Sequence, residues 1–269
     1  MLLDRSQIAI AERSWPDNLD MALHVLRRYG APLAGCALAT IVPVAIVNHL
    51  LLASLAIDFN SDEVGGGVFY LITILILIEA PLATAPMTLY LGAALFEEHP
   101  RPATIARGFL TCLPQMVLLQ VVLRALFVLP MVTLIVPYGL WPYLNEIILL
   151  ERNPLVARGG RLSTLRRNSQ LHRGHSGDYL ARGLASIGLA AMLIVAVFWT
   201  EATLAGTVFG LEDTYTLWLI EVQAAFWLVM AYFTVVRFLS YLDQRIRAEG
   251  WEVELLLRAE RARLESQMA

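Results

Sequence analysis

Long apolar stretches of the sequence, where lipid is expected to surround the chain, contain several charged residues, and four of these are of most interest. They are Glu79, Arg124, Glu146 and Glu221. A charge inside a membrane span is energetically costly, so such residues commonly mark ion or proton pathways, or pair with one another. These four side chains are therefore the first candidates for chemistry.

Glu79 and Arg124 are predicted to meet at the same depth. Counted from the ends assigned below to the cytoplasm, they lie about 16 and about 15 residues up their runs, at a rise of about 1.5 Å per residue. Pro81 and Pro86 would break the helix near Glu79 and free backbone carbonyls, as in transporters. Two interpretations stay open: a structural ion pair between two helices, and an ion or proton transport site. Glu146 and Glu221 lie near the ends of their runs and are expected to reach water or head groups.

No other pattern in the sequence predicts catalysis. His172 and His175, with Asp178 nearby, are three residues apart and would share one face of a helix, as metal ligands can. Gly174 and Gly177, however, oppose formation of that helix. A Ser-His-Asp grouping, a glycine-rich phosphate loop and an HExxH motif do not occur. The sequence therefore predicts no metal, no cofactor and no enzymatic activity.

The composition predicts a membrane protein. The 269 residues are 58% hydrophobic and 16% charged, with a mean hydropathy of +0.62, whereas soluble domains are about 25% charged. The net charge of -3 gives no reason to expect a nucleic-acid partner. What remains between the apolar runs is too fragmented for a sizeable soluble core. We expect an all-α fold, a polytopic bundle of membrane helices.

Six apolar runs are long enough to cross a bilayer. They cover about residues 32–57, 67–95, 109–129, 131–150, 183–206 and 216–240. The third and fourth form one stretch interrupted by prolines, for which a tight hairpin is predicted, and whether 109–150 makes two full spans stays open. The chain thus divides into an interfacial segment at 1–30, a six-helix membrane domain at 31–242 and a charged cytoplasmic helix at 243–269.

The arginines predict the orientation. All 20 basic residues are arginine, and 19 of them lie before the first run, after the second, between the fourth and fifth, or from residue 237 onward. The three other connections contain no basic residue. Because positive charge near span ends is retained in the cytoplasm, both termini are predicted to be cytoplasmic, in a bacterial inner membrane.

Three segments outside the spans are candidates for contacts with lipid or protein. Residues 151–182 are predicted to form a basic loop with a short helix near 160–170. It could bind anionic lipids or a partner, or only fix the topology; the candidate contacts are Arg158, Arg161, Arg166, Arg167 and Arg173. Residues 17–30 carry Leu19, Leu23 and Leu26 at helical spacing, which suits an elbow into the first span or a regulatory membrane sensor. The segment 243–269 has one apolar stripe and four-residue charge pairs, which predict a helix that needs a partner.

Several stretches resemble uncharacterised six-span bacterial membrane proteins. They are Pro81-Leu-Ala-Thr-Ala, Leu95-Phe-Glu-Glu-His-Pro-Arg-Pro, Ile135-Val-Pro-Tyr-Gly-Leu, Leu149-Leu-Glu-Arg, Leu165-Arg-Arg-Asn-Ser and the tail from Tyr241. Those proteins are similar to the membrane domain attached to some glycerophosphoryl diester phosphodiesterases. The resemblance implies the six-span fold and no catalytic residues, and this chain has no phosphodiesterase domain.

The function that these observations favour is a non-enzymatic scaffold or assembly partner in a membrane complex. Its predicted contacts are the lipid bilayer, anionic lipids at the basic loop and a protein partner at 243–269. The alternative is a transporter or permease subunit with a polar site around Glu79. An intramembrane enzyme would need a buried nucleophile and base, and the sequence offers no such pair.

Overall fold

The computed structural model describes residues 14–56, 64–128, 143–157, 162–171, 176–211 and 214–249. In these ranges the chain is helical and has no strand, so the all-α prediction is confirmed for them. The helices are α1 Trp15–Ala56, α2 Val64–Ala83, α3 Ala85–Ala94, α4 Pro102–Met116, α5 Leu123–Val128, α6 Leu144–Glu146, α7 Thr164–Leu171, α8 Ser176–Thr207 and α9 Tyr215–Glu249. π-Helical turns at Val117–Val122 and Ile147–Glu151 follow α4 and α6.

Five helical stretches among the described residues are long and apolar enough to cross a membrane. They are Trp15–Ser54, Gly67–Ala94, Pro102–Leu126, Leu180–Thr207 and Tyr215–Ala248. The protein is therefore a membrane protein by the length and composition of its helices. The remaining predicted span, 131–150, lies mostly outside the described residues, which include only its part from Tyr143 onward. The predicted tail beyond Glu249 lies outside them too.

Helix α1 joins the predicted N-terminal segment to the first span through a kink. Tyr29 has φ −111° and ψ 19°, just before Gly30 and Pro32, and proline disturbs the preceding turn because it lacks an N–H and its ring crowds a carbonyl. Of the predicted apolar face, Leu19 and Leu26 pack against the main core cluster, whereas Leu23 is 56% exposed. The buried side chains of this part of α1 are Asn18, Ala22, Val25, Tyr29 and Leu33.

That buried face packs against α9 rather than lying alone on a membrane surface. The Tyr232 hydroxyl donates a hydrogen bond to the Leu19 carbonyl (3.1 Å), and the Asn18 amide donates to Ser240 Oγ (3.5 Å). Ala22 and Tyr29 share one core cluster with Val235, Phe238 and Leu239. The N-terminal part of α1 is thus held against the C-terminal half of α9, which favours the interpretation of residues 17–30 as an elbow into the first span.

The second span is broken at Thr84, between the two prolines that the sequence singled out. Thr84 has φ −94° and ψ 0°, and Pro86 follows at the start of α3. Thr84 Oγ1 donates to the Ala80 carbonyl (2.7 Å), and Thr40 of α1 donates to the Ala83 carbonyl. Backbone groups at membrane depth need such partners because no water is available there. The carbonyl groups of Ala80 and Ala83 at this break therefore have hydrogen-bond partners.

Helix α9 is the element around which the others pack. It contacts α1 and α8 most extensively, and also α2, α3 and α7. The C-terminal half of α9 is buried in the main core cluster. Helix α8 packs chiefly along α9, and none of the most apolar 18 residues of Leu180–Thr207 is buried. Where α2 and α8 both flank α9, a groove remains between them.

Candidate functional site

The carboxylate of Glu79 is bound to Asn48 of α1. The amide of Asn48 donates to Glu79 Oε2 at 2.7 Å, and Asn48 itself is buried. A charged acceptor makes this hydrogen bond stronger than one between neutral groups. Asn48 was not predicted as a site residue, because an uncharged amide within an apolar run does not indicate a partner for a carboxylate.

Arg124 lies on α5, where it is buried and donates through Nη1 to Gln120 Oε1 at 3.2 Å. The segments that carry Glu79 and Arg124 do pack together, since α2 contacts both α5 and the π-helical turn Val117–Val122. The hydrogen bonds that the structure gives these two side chains lead to Asn48 and Gln120. The direct Glu79–Arg124 ion pair stays a prediction.

Glu146 does not reach water, so the expectation for this residue was wrong. Its side chain is fully buried, and Oε1 accepts a hydrogen bond from Arg237 Nε of α9 at 2.6 Å. A buried carboxylate is tolerated only when a cation compensates for its lost hydration. Arg237 supplies that charge, and the pair ties α6 to the last helix.

Glu151 is the centre of a larger polar network at the same end of the bundle. Arg167 of α7 holds it with two hydrogen bonds, Nε to Oε2 at 2.7 Å and Nη2 to Oε1 at 3.1 Å. Asn153 donates to Oε2 and the Tyr241 hydroxyl to Oε1, both at 2.8 Å. Arg245 adds a longer ion pair at 3.8 Å and lies over the Tyr241 ring. One carboxylate therefore joins the segment 144–153, α7 and α9.

A π-helical turn explains how Glu146 and Glu151 both face α9. On an α-helix, residues five apart point about 140° away from each other, because one turn takes 3.6 residues. Ile147–Glu151 is wound as a π-helix, whose i to i+5 bonding returns residues five apart to nearly the same face. The two acids can thus meet Arg237 and Tyr241, which lie one turn apart on α9. Arg152, with φ 51°, then ends the helix.

These contacts lower the pKa of Glu151. Burial alone would raise it, but hydrogen bonds from Arg167 and Tyr241 and the charges of Arg167 and Arg245 outweigh burial and hold the pKa below its ordinary value. A carboxyl with a lowered pKa stabilises the folded state above its ordinary pKa. That stabilisation is lost as the pH falls through the folded-state value.

Asp243 is a third buried acid at this end. It accepts from Arg247 Nε at 3.2 Å, as the predicted four-residue pair requires, and lies 4.0 Å from Arg182 Nη1 of α8. The adjacent Gln244 donates to the Leu171 carbonyl at the end of α7 (2.8 Å). The last turns of α9 are therefore fixed to both α7 and α8.

The basic loop contains the short helix that the sequence predicted, as α7. Of its five candidate contacts, Arg166 is exposed, whereas Arg167 is only 19% exposed and is bound to Glu151. The interpretation of Arg167 as a surface contact therefore needs correction, because its guanidinium holds a buried acid. Arg158, Arg161 and Arg173 lie outside the described residues.

The groove between α2, α8 and α9 is a cavity of about 370 Å³. We call it the lateral groove. Its walls are mostly apolar, with Phe69 and Leu77 on α2 facing Phe226 and Met230 on α9. Three arginines also line it, Arg124, Arg182 and Arg237, and its described lining includes no acidic residue. An apolar cavity of roughly 300–1,000 Å³ with a few convergent polar groups is typical of a small-molecule site.

Among the described residues, no group of three or more histidine, cysteine or acidic side chains is placed to hold a metal ion. Cys36 and Cys112 are free thiols. The Cys112 thiol donates a long hydrogen bond to the Ile148 carbonyl at 3.7 Å.

Replacing Glu151 with Gln should destabilise the bundle by roughly 3 kcal/mol, because it leaves two partly buried arginines without their counter-charge. Wild type should also lose stability as the pH falls below about 4.3 and through the folded-state pKa of Glu151, whereas the variant should show a smaller loss. Thermal unfolding in detergent between pH 7 and pH 3 measures both effects. Glu97→Gln, at an exposed position before α4, is the control. Equal melting and equal acid profiles for the two variants would contradict this role.

Searches against protein-family models, curated proteins and solved structures find no match for this chain. The resemblance to the membrane domain of some phosphodiesterases thus stays an expectation from sequence patterns. The groups that could define a function are those of the chain itself: the acid-centred network at one end of the bundle, the Asn48–Glu79 contact and the lateral groove.

Proposed function

We propose that the chain is a non-enzymatic membrane protein that acts as a scaffold or assembly partner. The observation that carries this proposal is the anchoring of the last turns of α9. Tyr241, Gln244 and Arg245 all bind residues of the segments before α8. The end of α9 that precedes the charged segment 250–269 is therefore held in place, which favours docking of a partner.

The composition of that segment indicates the kind of partner. Val253, Leu257 and Leu264 form an apolar stripe in a sequence otherwise rich in Arg and Glu. Such a stripe with charged flanks suits a helix of a second protein that offers an apolar seam and complementary charges. A fixed exit helps this association, because less orientational freedom is lost when the partner docks.

We further propose six spans in a bacterial inner membrane, with both termini in the cytoplasm. The arginine distribution supports this orientation, since it leaves every arginine cluster inside. The acid-centred network around Glu151 would then lie at the inner membrane surface. The charged segment 250–269 would extend into the cytoplasm, where soluble domains of partners are accessible.

Transport is the second candidate function, and the Asn48–Glu79 contact favours it. A carboxylate hydrogen-bonded to an amide, close to the proline-bounded break at Thr84, has the elements of an intramembrane proton or cation site. Against it, Glu79 is not among the residues that line the lateral groove. Scaffolding is therefore the stronger proposal.

Truncation after Glu249 should release the partner. Full-length chain and truncated chain, each tagged at the N-terminus, are extracted gently from native membranes and compared on native gels. We expect the full chain in a larger complex and the truncated chain at the size of the bundle. Leu257→Asp with Leu264→Asp should behave like the truncation, and Gln267→Asp should not. A complex that survives truncation would overturn the assignment of 250–269, and recovery of a second, differently tagged copy would identify the partner as the chain itself.

Cysteine labelling tests the orientation. In a background of Cys36→Ala and Cys112→Ala, single cysteines replace Glu97 and Phe209, both exposed and at opposite ends of spans. A membrane-impermeant maleimide should label Phe209→Cys in intact spheroplasts and Glu97→Cys only after lysis. The reverse pattern would place the termini outside the cytoplasm.

The transport candidate predicts that proteoliposomes containing the chain dissipate an imposed pH gradient, reported by an entrapped pH-sensitive dye. Glu79→Gln should abolish the flux, because the amide cannot exchange a proton, while its oxygen still accepts from Asn48 and keeps the fold. Glu201→Gln on α8 is the control. No flux from wild type, or unchanged flux from Glu79→Gln, would remove proton transport through this residue.

A further inference from the structure

The lateral groove has the shape of a site for an acyl chain. Its lining on α9 extends from Phe226 to Ser240, which is about 21 Å at roughly 1.5 Å per residue. The hydrocarbon core of a bilayer is about 30 Å thick, so one leaflet contributes about 15 Å. The groove is therefore long enough for one acyl chain of a single leaflet and for the start of its head group.

The groove opens toward the surface that faces lipid. Phe69 on one wall and Ile187 on the other are 45% and 37% exposed. The α8 wall is built largely from small side chains, Gly183, Ser186, Ala190 and Ala191, which leave the space that larger residues would fill. A lipid could thus enter sideways from the bilayer, without passing through the bundle.

Two of the three arginines that line the cavity lie at one of its ends. Arg237 and Ser240 lie in the part of α9 nearest the acid-centred network, and Arg182 is at the same level, since it lies 4.0 Å from Asp243. The opposite end is formed by Phe69, Ile194 and Phe226. A ligand that fits both ends has an apolar tail and a polar head.

The charge of the polar end selects the head group. Arginines line the groove and acids do not, within the described part of the chain. Arg237 uses Nε for Glu146, and its side chain is 23% exposed, so other guanidinium donors remain for a ligand in the groove. Among the described residues, Arg182 has one ion pair, the long contact with Asp243, and its side chain is 30% exposed. Guanidinium groups bind phosphate oxygens through pairs of parallel hydrogen bonds.

We propose that the lateral groove binds an anionic glycerophospholipid of the bilayer, with its phosphate on Arg182 and Arg237 and one acyl chain between α2, α8 and α9. A zwitterionic head group fits less well, because its cation would face arginines. The site itself does not depend on the orientation proposed above. With that orientation, the head group lies in the inner leaflet. The site is independent of any partner of 250–269.

Native mass spectrometry of the full chain tests the proposal. The protein is equilibrated in detergent with dioleoyl phosphatidylglycerol or with dioleoyl phosphatidylcholine, and retained lipid is counted at rising collision energy. Wild type should keep one phosphatidylglycerol at energies that remove phosphatidylcholine. Arg182→Gln should weaken phosphatidylglycerol binding by roughly tenfold, as expected for the loss of one charged hydrogen bond. Arg166→Gln, at an exposed position outside the groove, should leave it unchanged.

A second pair of variants tests the tail site without altering charge. Ala190→Trp fills the groove, and Ala196→Trp places the same side chain at an exposed position of α8 outside the lining. Retention should disappear in the first and persist in the second, with circular dichroism and melting unchanged in both. Equal retention of the two lipids by wild type, or equal retention by the two tryptophan variants, would overturn the proposal.

Discussion

The burial of three carboxylates at one end of the bundle is the constraint on which most of the remaining structure depends. Glu146, Glu151 and Asp243 are each at most 11% exposed. A buried acid without a counter-charge costs several kcal/mol, so each must keep its arginine in place. Because those arginines come from α7, α8 and α9, pairing the acids fixes how these helices sit against the segment 144–153.

The same constraint explains one irregularity of the backbone and the position of the lateral groove. The π-helical turn at Ile147–Glu151 places two acids five residues apart on one face, which a regular α-helix would not do. Because the C-terminal half of α9 packs against α1 and this network, α8 packs along the remaining side of α9. The lateral groove between α2 and α8 is the space that results.

The sequence could predict the spans and the charge asymmetry, because both depend on local composition. Apolar length is read directly from the chain, and each of the five stretches in the described part that can span a membrane overlaps a predicted run. Partners were harder to predict. The similar predicted depths of Glu79 and Arg124 could not show that Glu79 binds Asn48. Depth along a helix does not determine the direction in which a side chain points. Glu146 was misjudged for a related reason: its position near the end of a run suggested water, but Arg237, 91 residues away, covers it.

Arg237 shows why the groove and the network are best understood together. Its Nε compensates the buried Glu146, while the side chain as a whole is 23% exposed. A guanidinium offers five donors in a fixed plane. A phosphate oxygen in the groove could therefore bind the exposed part of Arg237 without displacing Glu146. One arginine can therefore stabilise the fold and recognise a head group, so its replacement would disturb both. Arg182 separates the two roles, because its contact with Asp243 is long, at 4.0 Å. It is therefore the residue through which binding can be measured apart from stability.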